Sequence, residues 1–124
     1  MNILIVDDSK LLRTVLKGML FNMGFSDIYE ATNGWEAIRK TYMVNPDIIF
    51  MNLIMPEMDG FEASKQILES FQDSKIVLVS ADNYSEIQYN ISEINIYDFI
   101  TLPLQQKRLK KIMKEYESYA EKAF

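Results

Sequence analysis

Short runs of apolar residues alternate along this chain with longer segments in which apolar residues recur every three or four positions. A short apolar run is typical of a strand buried on both faces of a parallel sheet, and the longer spacing is typical of a helix with one buried face. Predicted strands and helices alternate five times along the chain, which predicts an α/β fold with a doubly wound, five-stranded parallel sheet. The predicted strands are Ile3 to Val6, Asp27 to Ala31, Ile48 to Leu53, Ile76 to Val79 and Ile96 to Ile100.

The predicted helices have recognisable ends. Ser9 is a candidate N-cap of the first helix and Gly24 its candidate C-cap. Asn33-Gly34 predicts a turn before the second helix, and the last helix begins after Pro103. The predicted apolar faces are Leu12, Val15, Leu16, Met19, Leu20 and Met23 in the first helix, Trp35, Ile38 and Tyr42 in the second, Tyr84, Ile87, Ile91 and Ile94 in the fourth, and Leu109, Ile112, Met113, Tyr116 and Ala120 in the last.

Length and composition narrow the class of protein. The 124 residues suit one domain, 1–124. The 18 acidic and 13 basic residues give a formal charge of -5, which disfavours direct binding to nucleic acid. The chain has no cysteine and no histidine, which excludes thiol and imidazole chemistry. No apolar stretch approaches the ~20 residues of a membrane span, so no membrane association is expected. A cytoplasmic location is expected instead.

Five residues are predicted to follow the strands at the carboxyl edge of the sheet. In doubly wound sheets this edge is where ligands bind, near the point at which strand order reverses. The residues are Asp7, Asp8, Asn52, Ser80 and Leu102. They are the candidate site.

Several motifs around these positions resemble the receiver domains of bacterial response regulators, whose best-known member is the single-domain chemotaxis regulator. The resemblance covers essentially the whole chain and implies a flavodoxin-like sheet of strand order 2-1-3-4-5. It also implies a place in two-component signal transduction by phosphorelay. The motifs are Val6-Asp7-Asp8-Ser9, Pro46-Asp47 before the strand Ile48 to Asn52, Met55-Pro56-Glu57-Met58-Asp59-Gly60, Ser80-Ala81, and Phe99-Ile100-Thr101-Leu102-Pro103.

The resemblance implies a Mg²⁺ site and a phosphoacceptor. The metal positions are Asp7, Asp8, Asn52 and the backbone carbonyl of Ile54, and the phosphoacceptor position is Asn52, three residues before Met55-Pro56. An amide lacks the charge and nucleophilicity of a carboxylate, so Asn52 is not expected to accept a phosphoryl group. No cofactor is expected to be required, and Mg²⁺ binding is expected to be weak at most. Alternatively, Asp8 only supports the helix N-terminus.

The switch and lysine positions of the family also correspond to particular residues. Ser80 and Phe99 occupy the switch positions, although a hydroxyl and an aromatic ring at these places are also ordinary structural choices. Leu102 stands where the family has a lysine, and it can neither donate a hydrogen bond nor balance charge. Relative to the family pattern, Asn52 removes one carboxylate and Leu102 removes one ammonium, so the formal charge of the pocket stays at -2. This paired loss favours natural divergence over a deliberately introduced Asn52.

The leading hypothesis is a pseudo-receiver: a phosphorylation-independent protein-interaction module, with no enzymatic activity, that is a monomer or weak dimer. The expected partners are a sensor kinase or an output protein. The predicted contact face, on the fourth helix, fifth strand and last helix, comprises Tyr84, Tyr89, Tyr97, Lys107 and Lys110. The basic residues could equally form a solvated helix face. The alternatives are a conventional phospho-accepting regulator in a non-phosphorylatable Asp-to-Asn form, and the N-terminal receiver of a longer regulator.

Overall fold

The computed structural model of the chain describes residues 1–81 and 93–123. Within them, five parallel strands form one sheet in the order β2-β1-β3-β4-β5, which confirms the predicted sheet and strand order. Only β1 has the predicted bounds, and the ends of the other strands differ from prediction by one or two residues. The strands are β1 (Ile3–Val6), β2 (Ile28–Ala31), β3 (Ile48–Asn52), β4 (Lys75–Ser80) and β5 (Asp98–Thr101).

Four helices lie in the described residues, and they are α1 (Lys10–Asn22), α2 (Gly34–Val44), α3 (Gly60–Ser70) and α4 (Gln106–Ala123). The predicted fourth helix falls mostly on residues 82–92, so Tyr84, Ile87 and Ile91 lie outside the described residues. The predicted last helix is therefore α4. None of the helices within 1–81 and 93–123 is long and apolar enough to cross a bilayer.

Three helices begin at a side chain that accepts a backbone N–H, which satisfies one of the donors left unpaired at a helix start. Ser9 caps α1 as predicted, and Asp59 caps α3. Asn33 caps α2, so the Asn33-Gly34 pair begins a helix directly. The predicted C-cap of α1 is wrong by one residue: the cap is Met23, and Gly24 follows it with a φ of 99°, a conformation that glycine adopts without strain.

The core has two halves, one on each face of the sheet, as expected when helices cover both faces. Alternate residues of the strands point to opposite faces, so that Leu4 and Ile49 belong to one half and Ile5 and Phe50 to the other. The first half packs against α2 and α3. The second packs against α1 and α4.

On the second face, α4 buries the predicted stripe and α1 buries a narrower one than predicted. The buried residues of α4 are Leu109, Ile112, Met113 and Tyr116, with Ala120 packed beside them. On α1, Leu16 and Leu20 are buried, but Val15 is 39% exposed, so its assignment to the core was wrong. It lies at the edge of the buried stripe, where the helix surface turns away from the sheet.

The predicted apolar face of α2 was wrong for its two large aromatic residues. Trp35 and Tyr42 are 60% and 63% exposed, whereas Ala37 and Thr41 are buried. Small residues on the buried face let α2 lie close to the sheet, and the Thr41 hydroxyl donates to the Ala37 carbonyl at 2.7 Å, which satisfies it within the helix. Ile38, the third residue of the predicted face, does pack against the core, so the prediction failed only for the two aromatic residues.

Candidate functional site at the carboxyl edge of the sheet

Asp7 and Asn52 lie side by side because β1 and β3 are neighbours in the sheet. The register pairs Val6 with Met51, so that the residues which follow them meet at the carboxyl edge. Asp8 follows at the entry to α1. The structure thus brings three of the predicted site residues together.

The amide nitrogen of Asn52 donates to oxygens from three segments of the chain. Nδ2 lies 3.3 Å from Asp7 Oδ1, 3.3 Å from Asp8 Oδ1 and 3.1 Å from the carbonyl oxygen of Ile54. An amide group has two N–H bonds, so the three acceptors share them. The opposite orientation would place the amide oxygen against three other oxygens with no hydrogen between them. The nitrogen is therefore the atom that faces this cluster.

Asp7 is the buried member of the acid pair. It is 6% exposed, whereas Asp8 is exposed. The Asp7 Oδ1 also accepts from the Ser9 backbone N–H at 2.8 Å. Burial raises the pKa of the Asp7 carboxyl above its ordinary value; the Ser9 hydrogen bond and Arg13 oppose the rise, and Asp8 adds to it. The site thus holds a desolvated carboxylate whose charge is costly.

Arg13 supports this corner of the site, and the sequence analysis missed it. Its Nη1 donates to the Asp7 backbone carbonyl at 2.6 Å, and its Nε lies 3.2 Å from Glu30 Oε1. Arg13 stands four residues after the N-cap Ser9, so it lies one helical turn into α1, above the ends of β1 and β2. The sequence signals for this role of Arg13 were its position four residues after Ser9 and the presence of Glu30 in the second strand.

The loop after β3 is folded tightly against the strand, and Gly60 makes this possible. Its N–H donates to the Leu53 carbonyl at 2.7 Å. A Cβ at this position would lie 2.1 Å from the Asn52 carbonyl oxygen, closer than any side chain can approach. Glu57 completes the turn with a φ of 68°. The tight turn carries the Ile54 carbonyl back toward the Asn52 amide.

Two leucines that follow β5 lie beside the site. Leu102 is half-buried, donates its N–H to the Ser80 carbonyl at 2.8 Å, and packs against the core together with Leu104. Both leucines line a cavity of about 20 Å³ that also borders Asp7 and Asn52. Leu102 therefore lies at the site as predicted, and its side chain forms part of the wall of this cavity.

Ser80 and Phe99 lie at the expected strand positions. Ser80, the last residue of β4, is 2% exposed. Phe99 is half-buried in β5 and packs against the core half that faces α2 and α3. Their switch roles stay predictions.

The groups here that could ligate a hard cation are two carboxylates, the Ile54 carbonyl and, if the amide turned over, the Asn52 side-chain oxygen, and this donor set fits one poorly. Mg²⁺ requires near-octahedral oxygen ligands and sheds its waters reluctantly. The point on which the oxygens of Asp7, Asp8 and Ile54 converge holds the Asn52 nitrogen. Across residues 1–81 and 93–123, no three acidic, histidine or cysteine side chains group in a way that could hold a metal ion.

Three of the five residues predicted for the contact face lie in the part of the chain that the structure describes. Lys107 and Lys110 are exposed on α4, whereas Tyr97 is half-buried and packs edge-on against Tyr116 with ring centroids 6.3 Å apart. Burial raises the pKa of Tyr97, with Glu115 and Asp98 adding to the shift. Tyr84 and Tyr89 lie outside the described residues.

The family of this chain follows from its likeness to known proteins. Residues 3–114 match the model of the response regulator receiver domain. The chain is 34% identical over 115 residues to the chemotaxis protein CheY of Listeria monocytogenes, which covers 93% of this chain and 97% of that protein. It is 36% identical over 107 residues to CheY of Thermotoga maritima, covering 86% and 89% of the two chains.

Solved structures show the same fold. The chemotaxis protein CheY4 of Vibrio cholerae superposes with a TM-score of 0.85 at 23% identity, covering 93% of this chain and 97% of that one. The receiver domain of the sensor histidine kinase PA1611 of Pseudomonas aeruginosa, described with a magnesium ion coordinated in its active-site cleft, gives 0.82 at 24% identity, covering 93% and 95%. With its family match, its CheY relatives and its CheY-like sheet, this chain belongs to the response regulator receiver domain family of two-component signalling.

Proposed function

We propose that this receiver domain is a protein-interaction module whose output does not depend on its own phosphorylation. One observation carries the proposal: the residue at the end of β3 is Asn52, and its amide is already hydrogen-bonded to Asp7, Asp8 and Ile54. By family resemblance this is the phosphoacceptor position. An amide there has no charged oxygen with which to attack phosphorus.

The surroundings of Asn52 also disfavour a bound phosphoryl group. Such a group needs cationic partners or hydrogen-bond donors for its oxygens. Leu102 presents a half-buried apolar side chain instead.

A phosphorylation assay tests this part directly. The native chain and the double variant Asn52→Asp, Leu102→Lys would be incubated with acetyl phosphate and MgCl2, and the intact mass of each measured. We expect the double variant to gain one phosphoryl group and the native chain to gain none, because only the variant has a carboxylate nucleophile and an ammonium beside it. Uptake by the native chain would contradict the proposal and favour a conventional phospho-accepting regulator.

The proposed contact surface is the basic stripe of α4, defined as Lys107, Lys110, Lys111 and Lys114. These residues are exposed and recur at three- and four-residue spacing, so they line one side of the helix. On a chain of formal charge -5 they form a local region of opposite sign. Such a region attracts an acidic surface on a partner and speeds its association. A sensor kinase or an output protein is the proposed class of partner.

Charge reversal on this stripe tests the surface. The binding of a partner recovered with the native chain would be measured for Lys110→Glu and for the control Lys65→Glu, which reverses the charge of an exposed lysine on α3. We expect Lys110→Glu to weaken binding at least tenfold at low salt, and Lys65→Glu to leave it nearly unchanged. Equal binding by the two variants would make the stripe a solvated helix face. Both variants should stay folded, because exposed substitutions usually change stability by less than ~0.5 kcal/mol.

A further inference from the structure

We propose that the Asn52 amide nitrogen takes the place of a divalent cation at the carboxyl edge of the sheet and makes this edge independent of Mg²⁺. The inference goes beyond the proposed function, because it concerns the cation and the architecture of the site rather than the partner or the phosphoryl group. It can therefore fail while the proposed function holds.

The geometry is that of a bridging group at the centre of a ligand set. The three acceptors come from the end of β1, the entry to α1 and the loop after β3, and they converge on one nitrogen at 3.1 to 3.3 Å. These are the segments that a cation bound to Asp7, Asp8 and Ile54 would join. The amide joins them at separations near the long limit of N–H···O hydrogen bonds, which is well beyond the ~2.0–2.1 Å of a magnesium–oxygen bond.

The amide also reduces the electrostatic repulsion between the two carboxylates of the site. Asp7 Oδ1 and Asp8 Oδ1 each lie 3.3 Å from the same Asn52 nitrogen, and Asp7 is almost fully buried. Two like charges at such a place repel each other strongly. The positive ends of the amide N–H dipoles, aimed at both carboxylates, offset part of that repulsion without an ion.

A cation would have to displace this arrangement. The amide would need to turn over, lose its three hydrogen bonds and offer one neutral oxygen in exchange for the nitrogen. The Asn52 backbone cannot retreat to make room, because its carbonyl oxygen packs directly against Gly60. The ion would meet only two carboxylates and would have to lose tightly held water. Both sides of the exchange favour the amide.

Thermal unfolding with and without MgCl2 tests the inference, with NaCl at matched ionic strength as the reference. We expect no magnesium-specific shift for the native chain or for the control Asn22→Ala, which alters an exposed asparagine at the end of α1. Asn52→Asp and Asn52→Ala should each unfold at a lower temperature in EDTA. Asn52→Asp should gain about 3 to 6 °C with MgCl2, because it removes the amide and adds a third carboxylate to the oxygen cluster, and Asn52→Ala, which adds no oxygen, should gain less.

The side-chain amide of Asn52 gives a second readout that needs only the folded native chain. Its ¹⁵N–¹H pair, identified by its absence in the spectrum of Asn52→Asp or Asn52→Ala, should exchange slowly with water and should not move when MgCl2 is added. The inference would be overturned by a magnesium-specific stabilisation of the native chain equal to that of Asn52→Asp, or by loss of the protected amide signal on addition of MgCl2. An Asn52→Ala variant as stable as the native chain would do the same.

Discussion

An asparagine amide bridges separate segments at each end of the sheet, and the two do so under different electrostatic conditions. At the amino end, Asn2 Nδ2 donates to the Val44 carbonyl at 2.9 Å, while the exposed Asp47 carboxylate accepts the Asn2 backbone N–H at 2.8 Å. At the carboxyl end, the Asn52 amide serves two carboxylates and a carbonyl. The first amide bonds a neutral group and the second holds charged groups together.

The difference shows where a neutral amide offsets a repulsion between carboxylates that would otherwise require a positive charge. Asp47 lies in water, which screens it, so nothing further is needed at the amino end. Asp7 is buried, and its repulsion by Asp8 must be offset locally. We therefore expect the carboxyl end to be the more sensitive to substitution and to ionic conditions. Four predictions test this expectation, from the largest effect to the smallest.

Gly60→Ala should produce the largest loss, by breaking the carboxyl end alone. The new Cβ would lie 2.1 Å from the Asn52 carbonyl oxygen and 2.8 Å from Leu53 Cα, so the backbone must move. We expect the free energy of unfolding in urea to fall by about 3 kcal/mol. Gly18→Ala is the matched control, since nothing lies within 4 Å of its added Cβ in α1. It should gain about 0.5 to 1 kcal/mol, and equal losses in both variants would contradict the close packing at Asn52.

Asn52→Asp should cost about 2 kcal/mol in the absence of metal, because it adds a third carboxylate where the amide now donates. Leu102→Lys, which places an ammonium beside Asp7 and Asp8, should reduce that cost in the double variant. We expect a coupling free energy of about 0.5 to 3 kcal/mol from the four-member urea-unfolding cycle, as for residues in contact. Additive losses would show that positions 52 and 102 are not adapted to each other.

Asn2→Ala and Asn52→Ala compare the two ends directly. Each removes one amide, and we expect Asn2→Ala to lose about 1 kcal/mol, the usual value of one neutral hydrogen bond, at any salt concentration. The cost of Asn52→Ala should fall between low salt and ~1 M NaCl, where the Debye length is only about 3 Å and the exposed Asp8 is screened. Urea unfolding at both salt concentrations measures this. A salt-independent cost for Asn52→Ala would remove the electrostatic distinction between the ends.

The fold could be predicted because its signals are local. The central strands β1, β3 and β4 each contain a continuous apolar run, and the rule that ligands gather at the carboxyl edge of such a sheet placed Asp7, Asp8, Asn52, Ser80 and Leu102 in one candidate site. The prediction of the α2 face failed because burial there depends on how the helix packs on the sheet. Trp35 outranks Ala37 in hydrophobicity, but the space between helix and sheet admits only the smaller residue.

The bonds of the site could not be predicted, because they depend on non-local geometry. The Asn52 amide meets Asp7 from 45 residues away and only in the observed β1–β3 register. The Arg13 bond to the Asp7 carbonyl needs both the start of α1 and the end of β1 to be known. The identity of Asn52 was readable in the sequence. The sequence did not show which way its side-chain amide points, and the proposed role of Asn52 follows from that direction.

The smallest effect is expected at the amino end and at high pH. Burial raises the pKa of the Tyr116 phenol to about 12, with Asp47, Tyr119 and Tyr97 adding to the shift. The unfolded chain loses this proton near pH 10, so between about pH 10 and 12 the unfolded state ionises while the folded state does not. Stability from this group is therefore complete below pH 10 and declines as the pH rises toward 12. Tyr116→Phe has no proton to lose, so between about pH 9 and 11 its free energy of unfolding should decline by about 1 kcal/mol less than that of the native chain. Parallel pH profiles for the two proteins would place the phenol in water rather than against Tyr97 and Asp47.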